Sequence, residues 1–285
     1  MNEQEHPGGV VNGLSIDVED YFHVSAFASS IPSSDWERMP CRVQANVEAI
    51  LELLGRTRSK ATFFTLGWVA QRYPTVVRAV VDAGHELASH GVSHARASEQ
   101  TRAAFLADIR QAKSLLEDIG GCEVRGYRAP SFSVGPANAW AFDCIRDAGY
   151  RYSSSVYPIR HDHYGAPDAP RFAHEVRPGL LELPVATVRL LNVNWPAGGG
   201  GYFRLLPYCV SRWSLARINA VDGKPAIFYF HPWEIDPEQP RVAGAGWKSR
   251  FRHYVNLDRM RPRLSRLLAD FRWDRIDRVF LSRAA

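Results

Sequence analysis

The sequence lacks the features that mark several classes of protein. Its 285 residues include only four cysteines, which lie far apart at positions 41, 122, 144 and 209 and form no C-x-x-C pair. This spacing excludes a zinc knuckle and a thioredoxin-like motif, and we expect buried free thiols. No apolar run is long enough to span a membrane, and the N-terminal segment has neither the basic nor the apolar region of a signal peptide. We therefore expect a cytoplasmic or membrane-peripheral protein.

Excess positive charge is small overall and concentrated near the C-terminus. The formal net charge is +5, and residues 248–285 hold eleven Lys or Arg against four Asp. The same segment has apolar residues three and four positions apart, which is typical of a helix that packs one face on a core: Leu257, Met260, Leu264, Leu267, Leu268 and Phe271. The arginines then fall on the solvated side of that helix. We expect no nucleic-acid partner, and contact with an anionic membrane surface stays an alternative.

Short strand-like segments alternate with helical ones along the chain. The predicted strands are 14–17, 61–65, 86–88, 125–129, 150–154, 180–183 and 226–230, and the predicted helices are 43–54, 74–83, 99–119, 136–148 and 207–221. Parallel strands need such crossover connections, so the pattern predicts an α/β fold, a distorted or incomplete (β/α) barrel. No G-x-G-x-x-G or P-loop motif follows a strand. The glycine run at 198–201 is interpreted as a flexible substrate loop.

Polar residues interrupt four of these strands at their carboxyl ends. The sequences there are DVED (17–20), SHGVSH (89–94), YRAP (127–130) and HPWE (231–234). In a βα barrel these ends form one rim, where active sites lie. One carboxylate and two imidazoles suit a divalent metal such as zinc and leave a fourth position open. His90 and His94, four residues apart, are the predicted pair.

The four motifs together resemble the NodB-homology, or carbohydrate esterase four, family of polysaccharide deacetylases. SIDVED (15–20) is similar to the acidic motif of the family, HGVSH (90–94) to its histidine pair, YRAPSFS (127–133) to its arginine motif and FHPWE (230–234) to its closing histidine motif. They occur in the family's order over about the first 235 residues. The wording DVEDYFHV is closest to a bacterial subgroup associated with exosortase and exopolysaccharide loci.

The resemblance implies a role for each matching residue. Asp17 matches the general base that deprotonates the attacking water, Arg128 the residue that orients this base, and His231 the general acid that protonates the departing amine. His90 and His94 match the metal ligands. The family's adjacent pair of aspartates is interrupted here by Val18, so the metal carboxylate is Glu19, with Asp20 as the alternative. The carboxylate that is not a ligand is expected to cap a helix or turn or to pair with an arginine.

Other residues are predicted to contact the substrate or to support the site. The backbone N–H groups of Ser131 and Phe132, after Pro130, are predicted to stabilise the developing oxyanion. Trp195 and Trp233 are predicted to form an apolar wall for the acetyl methyl group or a sugar ring. Glu182 is considered as a partner of the catalytic histidine, with an ordinary strand-end salt bridge as the alternative.

The combined prediction is a metal-dependent hydrolase, most simply with Zn²⁺, that removes N-acetyl groups from amino sugars of a bacterial polysaccharide or its precursor. A C–N hydrolase of small cyclic amides or ureides and a carbohydrate-binding protein with a decayed site are the alternatives. The expected organisation is one polysaccharide deacetylase domain over residues 1–285, with catalytic motifs within 14–235 and a helical extension, 236–285, packed on the barrel. An N-acetylated saccharide is the expected partner, and the oligomeric state stays open.

Overall fold

The computed structural model describes residues 9–161 and 165–281. It contains two sheets and the helices that cover them. The strands are β1 (Val11–Val18), β2 (Thr62–Thr65), β3 (Glu86–Ser89), β4 (Gly126–Tyr127), β5 (Tyr152–Ser153), β6 (His174–Arg177), β7 (Leu180–Glu182), β8 (Thr187–Leu190), β9 (Val193–Pro196), β10 (Ile227–Phe230) and β11 (Arg272–Asp274).

The α-helices follow the strands along the chain, as parallel pairing requires. They are α1 (Val43–Thr57), α2 (Gly67–Arg72), α3 (Pro74–Asp82), α4 (Arg102–Gly120), α5 (Ala141–Asp147), α6 (Gly200–Leu205), α7 (Tyr208–Arg217), α8 (Trp247–Tyr254), α9 (Leu257–Asp270) and α10 (Ile276–Phe280). Among these described helices, none is both long enough and apolar enough to cross a bilayer.

The main sheet confirms the predicted α/β fold and the incomplete barrel. Its strand order is β10-β1-β2-β3-β4-β5-β7-β6, and every pairing is parallel except that of β6 with β7. The ends of this order, β10 and β6, do not pair with each other, so within the described residues the sheet stays open. Strands β8 and β9 form a separate antiparallel hairpin.

The segment after residue 235 contains helices and also one further strand of this sheet. Strand β11 pairs with the first residues of β1, in parallel. Helix α9 buries its apolar stripe in the core beneath the sheet, as its spacing predicts: Leu257, Met260, Leu264, Leu267 and Leu268. The prediction of a purely helical extension misses β11, because three residues are too few to show a period of two.

All seven predicted strands are present, but short elements escaped the sequence pattern. The strands β8 and β9 of the hairpin and the edge strand β6 are each only four residues long. The cysteines are free, as expected, but the expectation of burial holds only for Cys144. Cys209 is exposed, and the other two are half-buried.

Candidate functional site

The carboxyl ends of the parallel strands surround one open cavity of about 370 Å³. Strands β1, β3, β4 and β10 each end in one of the polar motifs, and because they are parallel neighbours or near neighbours their ends lie on one edge of the sheet. The predicted residues that line the cavity are Asp17, Glu19, His90, His94, Ser131, Phe132, His231 and Trp233. The convergence of the four motifs is therefore present.

Glu19, His90 and His94 form a group whose ligand atoms all lie within 4.8 Å of one another. His94 Nε2 is 2.6 Å from Glu19 Oε2. This oxygen is buried and accepts no hydrogen bond from the residues that the structure describes. A buried carboxylate oxygen without a donor is costly unless a cation neutralises it. The donor set and the orphaned oxygen both fit a divalent metal ion.

A tight loop after β3 brings the two histidines together. His90 follows the strand directly, Gly91 has a φ of 76° and His94 a φ of 56°, so the chain turns back on itself instead of forming a helix. The Asp108 carboxylate on α4 accepts the Val92 N–H at 3.1 Å. A side chain at Gly91 would meet this carboxylate, because a Cβ there would lie 2.8 Å from Asp108 Oδ2.

His90 is held in the form that a metal ligand needs. Its Nδ1 lies 2.8 Å from the Arg128 backbone oxygen, which can only accept, so Nδ1 carries the proton and Nε2 keeps its lone pair. Burial is the main cause that lowers the pKa of His90, to about 4, so the ring stays neutral at pH 7. Burial alone would raise the pKa of Glu19, but His94, His231 and His90 outweigh it and keep this carboxyl ionised.

Asp20, the alternative carboxylate, does not belong to this group. Its Oδ2 accepts the backbone N–H groups of Arg42 and Val43, at the start of α1, and its Oδ1 accepts that of Tyr21. The side chain of Asp20 therefore caps a helix and a turn, which is the role expected for whichever acid is not a ligand. Successive side chains of an extended strand point to opposite sides, so Glu19 faces the cavity with Asp17.

Asp17 is fixed by a fully buried arginine. Arg128 Nη1 lies 2.6 Å from Asp17 Oδ1 and 2.9 Å from the hydroxyl of Ser15. The remaining nitrogens of Arg128 donate to the backbone oxygen and hydroxyl of Ser154. Four of the five guanidinium N–H groups thus have an acceptor, and Oδ2 of Asp17 faces the cavity, 4.0 Å from His231 Nε2.

His231 is held by Glu234 in the next turn of chain. Its Nδ1 lies 3.1 Å from Glu234 Oε2, while its Nε2 faces the cavity, 3.4 Å from Glu19 Oε1. Burial by itself would lower the pKa of His231, but the carboxylates of Glu234, Glu19 and Asp17 outweigh it and raise the pKa to about 9. His231 therefore carries a proton at neutral pH, as a general acid must.

Glu234 was not singled out in the sequence and is the supporting acid of the site. Its carboxylate accepts a bond of 2.9 Å from Arg204 Nε, and the two side chains are each 1% exposed. Arg204 also donates to the backbone oxygens of Arg252, His253 and Val255, which ties the end of α8 to the site. Although burial opposes it, the charge of Arg204 lowers the pKa of Glu234 to about 2.

Glu182, which the sequence offered as one candidate for this role beside an ordinary strand-end salt bridge, lies elsewhere. It is fully buried at the end of β7, where its Oε1 accepts the N–H groups of Ser155 and Val156. The tetrapeptide HPWE contained the signal for Glu234. A carboxylate three residues after a strand-end histidine can reach back to its N–H and ring, as Glu234 does here.

The two predicted tryptophans have different positions. Trp233 is 5% exposed and lines the cavity, where its ring stacks on His231 and on His253 at centroid distances of 5.1 and 4.0 Å. Trp195 lies on β9 and is not among the residues that line the cavity, so the prediction that it forms a substrate wall is wrong. Trp195 lies on the hairpin of β8 and β9, which no sequence pattern indicated.

The turn after Pro130 is strained where an oxyanion donor was predicted. Ser131 and Phe132 have φ angles of 55° and 48°, in the left-handed region that costs such residues about 1–3 kcal/mol. The Phe132 N–H donates to the Ala129 backbone oxygen at 3.1 Å, which corrects the expectation that it is free. Ser131, whose hydroxyl lies 2.8 Å from that of Ser25, is the remaining choice for the donor.

The glycine run is a close-packed segment and not a flexible loop. Cβ atoms would lie 2.5 Å from the Ile227 oxygen at Gly198, 2.8 Å from the Tyr229 ring at Gly199 and 2.0 Å from the Glu234 carboxylate at Gly200. Gly201 has open space around it and lines the cavity. The absence of side chains at Gly198, Gly199 and Gly200 therefore lets the start of α6 approach both β10 and the carboxylate of Glu234.

This packing predicts opposite effects for two neighbouring glycines. Gly200→Ala places a methyl group against Glu234, and overpacking of this kind costs about 1–3 kcal/mol. Gly201→Ala meets nothing and is expected to leave stability unchanged or raise it by up to about 1 kcal/mol. Urea denaturation of both variants measures the difference. Equal stability of the two would contradict the close approach of α6 to Glu234.

Metal binding can be tested with histidine variants and elemental analysis. We expect about one divalent ion per chain after dialysis. His94→Ala is expected to weaken metal binding by more than about a hundredfold, because loss of a residue that merely hydrogen-bonds to a metal ligand already costs up to about a hundredfold in affinity. His174→Ala is the matched control, because His174 lies on the edge strand β6, bonded to the Phe172 oxygen. Unchanged metal content in His94→Ala would refute the ligand group.

Comparisons with known proteins agree with this geometry. Residues 35–153 match the sequence profile of the polysaccharide deacetylase family. The match contains His90, His94 and Arg128, while residues 154–281, which contain His231, match a domain of unknown function, DUF3473.

Two bacterial relatives each match part of the chain. A peptidoglycan-N-acetylglucosamine deacetylase of Bacillus cereus is 32% identical over 102 residues, which are 36% of this chain and 46% of the relative. A peptidoglycan deacetylase of Helicobacter pylori is 28% identical over 118 residues, or 40% of this chain and 38% of the relative. The chain thus spans less than half the length of each of these relatives.

The fold is also that of a solved polysaccharide deacetylase structure. A protein from Mycobacterium smegmatis, described as a polysaccharide deacetylase by homology, superimposes with a TM-score of 0.62 at 19% identity. The superposition covers 98% of this chain and 92% of that one. At this identity the likeness establishes the curled, incomplete barrel and nothing about the substrate.

Proposed function

We propose that the protein is a metal-dependent deacetylase that hydrolyses the acetamide of an N-acetylated amino sugar in a polysaccharide. The observation that carries the proposal is the arrangement around one cavity. Asp17 held by Arg128, the donors Glu19, His90 and His94, and His231 held by Glu234 all face it. A carbohydrate-binding protein needs no such set of a base, an acid and metal donors.

Glu19, His90 and His94 would hold the metal, and we propose zinc because two imidazoles and one carboxylate are a zinc donor set. When bound, the metal would act as a Lewis acid that polarises the acetamide carbonyl and favours ionisation of water. The neutral ring of His90 and the ionised carboxyl of Glu19 are already in the protonation states that binding requires.

The other residues of the cavity supply proton transfer. We assign Asp17 as the base that removes a proton from the attacking water, since its free oxygen faces the cavity and Arg128 prevents the carboxylate from rotating. We assign His231, whose Nε2 also faces the cavity, as the acid that protonates the departing amine. Glu234 and Arg204 are positioning residues, which act through His231. The Ser131 N–H is assigned to the developing oxyanion.

The names of the relatives support a bacterial glycan as the substrate. Both curated relatives are peptidoglycan deacetylases, and both matches cover part of the chain only. The wording DVEDYFHV, together with weak support from the match to DUF3473, favours a bacterial exopolysaccharide or its precursor as the polymer. We retain the proposal of one catalytic domain whose motifs lie within 14–235.

Acetate release from a panel of N-acetylated oligosaccharides, with zinc present, tests the proposal. We expect one acetate and one free amine per event, and a loss of at least about a hundredfold in both with Asp17→Asn. Hydrolysis of cyclic amides or ureides without acetate release would support the alternative C–N hydrolase. Oligosaccharide binding by the zinc-loaded protein without any hydrolysis would support a binding protein.

A further inference from the structure

Three consecutive serines at 153–155, here called the serine segment, lie beside Arg128 and are fully buried. Ser154 holds Arg128, because its backbone oxygen accepts the Nε–H at 3.1 Å and its hydroxyl oxygen accepts from Nη2 at 2.9 Å. Ser155 holds the next residue, because its hydroxyl oxygen accepts the Ala129 N–H at 2.9 Å. The serine segment thus fixes both the side chain of Arg128 and the backbone that follows it.

The serine segment is itself held by Glu182, at the carboxyl end of β7. Glu182 Oε1 accepts the N–H groups of Ser155 and Val156, each at 2.9 Å. The hydroxyl of Ser153 donates to that of Ser155 at 2.8 Å. Glu182 is 0% exposed and is not among the residues that line the cavity, so it acts on the reaction centre only through other residues.

We propose that Glu182 is a positioning residue, which fixes Arg128 and through it Asp17 by anchoring the serine segment. This inference rests on the proposed function and adds a residue to its machinery. A buried network of hydrogen bonds holds its members in one geometry. Displacement of a reacting group by about 1 Å, caused by a change far from the chemistry, can reduce the rate about a hundredfold.

The role of Glu182 requires an acceptor oxygen more than a negative charge. Burial raises the pKa of Glu182 to about 7, although its hydrogen bonds and the charge of Arg128 oppose this, so a substantial fraction of the molecules carry a neutral side chain at pH 7. Glutamine keeps one oxygen for the two N–H groups, whereas leucine leaves both without an acceptor. Glu182→Gln and Glu182→Leu therefore separate anchoring from charge.

Solvent exchange of the arginine Nε–H groups, followed by NMR, tests the anchor without measuring turnover. Arg128 and Arg204 are both fully buried, and their Nε–H groups donate to the Ser154 oxygen and to Glu234 respectively. In Glu182→Leu we expect exchange at Arg128 to rise by at least about tenfold, and exchange at Arg204 to stay within about twofold of the wild type. A general loss of stability would raise both.

Turnover of the same variant tests whether the anchor serves the reaction. Glu182→Leu is expected to lower kcat for acetate release by roughly ten- to a hundredfold per folded, zinc-loaded molecule, with KM nearly unchanged. Glu182→Gln is expected to recover most of this loss. The matched control is Glu86→Leu, because Glu86 is a buried carboxylate at the amino end of β3, bonded to the Tyr152 hydroxyl and the Asp277 N–H. We expect this control to lower stability and leave kcat unchanged.

A double-mutant cycle shows whether Glu182 acts through the base. If it does, adding Glu182→Leu to Asp17→Asn is expected to reduce the residual turnover by less than about threefold, since the group that it positions is already inactive. Losses that multiply in full would overturn the proposed route through Arg128. Glu182→Asp, whose carboxylate is one methylene short of the two N–H groups, is a milder variant for the same measurements if Glu182→Leu does not fold.

Each other outcome decides a specific claim. Unchanged exchange at Arg128 in Glu182→Leu, or equal increases at Arg128 and Arg204, would overturn the anchor. A selective increase at Arg128 with unchanged kcat would overturn the positioning role. A selective increase with no acetate release by the wild-type protein from any glycan would keep the anchor and reject the deacetylase.

Discussion

Asp17→Asn is expected to reduce acetate release by roughly 10²–10⁴-fold, the usual contribution of a positioned general base. Asparagine keeps the shape of the side chain and can still accept the bond from Arg128, but it cannot take a proton. Metal content is expected to stay at the wild-type level, because Asp17 lies outside the group of Glu19, His90 and His94. Turnover and metal content are measured on the same preparation.

Asp20→Asn is the matched control in the same motif. Both oxygens of Asp20 accept backbone N–H groups, whereas the amide nitrogen of asparagine cannot accept, so at least one donor loses its acceptor at a cost of about 1–3 kcal/mol of stability. The carboxylates of the cavity stay in place. We expect a lower midpoint of thermal unfolding and nearly unchanged turnover per folded molecule. If Asp17→Asn instead keeps its turnover, the residue is structural, and if it loses the metal, Asp17 is itself a ligand.

His231→Ala is expected to reduce turnover of an N-acetylated sugar by roughly a hundredfold or more, the contribution of a positioned acid. The departing amine needs a proton, whereas 4-nitrophenolate leaves without one. Hydrolysis of 4-nitrophenyl acetate is therefore expected to suffer much less from the substitution. Equal losses on the two substrates would show that His231 serves binding or architecture.

The pH profile gives a second measurement of the same role. The carboxylates around His231 raise its pKa to about 9, so the protonated, active form is present at neutral pH and is lost as the pH rises through that value. The alkaline limb of the rate is thus expected above neutrality in the wild-type enzyme and absent in His231→Ala. Glu234→Gln removes one carboxylate and should move this limb to lower pH. An unmoved limb would assign it to another group.

Local patterns in the sequence were sufficient for the fold and for much of the reaction centre. Alternation of short strands with helices of period 3.6 indicated a parallel sheet, and parallel strands necessarily bring their carboxyl ends to one edge. Asp17, His90, Arg128 and His231 each lie at such an end. Their convergence on one cavity follows from topology and needed no knowledge of side-chain contacts.

The partners of these residues depended on contacts between distant parts of the chain. Arg204, thirty residues before Glu234 in sequence, meets it only because the glycine run lets α6 approach β10. The hairpin that contains Trp195 is set by pairing between β8 and β9. No periodicity encodes such a pair, since the interaction depends on where two elements pack.

The choice between Glu19 and Asp20 as metal ligand shows what the sequence determined about the site and what the tertiary structure decided. The resemblance to the deacetylase acidic motif, in which Asp17 matches the base, implied that the metal carboxylate is one of these two residues. The pleat of β1 and the start of α1 then decided between them, because α1 places two N–H groups against Asp20 while Glu19 faces the histidines. The sequence determined which side chains reach the rim of the sheet. Tertiary packing determined which carboxylate oxygens there keep a lone pair for a metal, because only packing brings a hydrogen-bond donor from elsewhere in the chain.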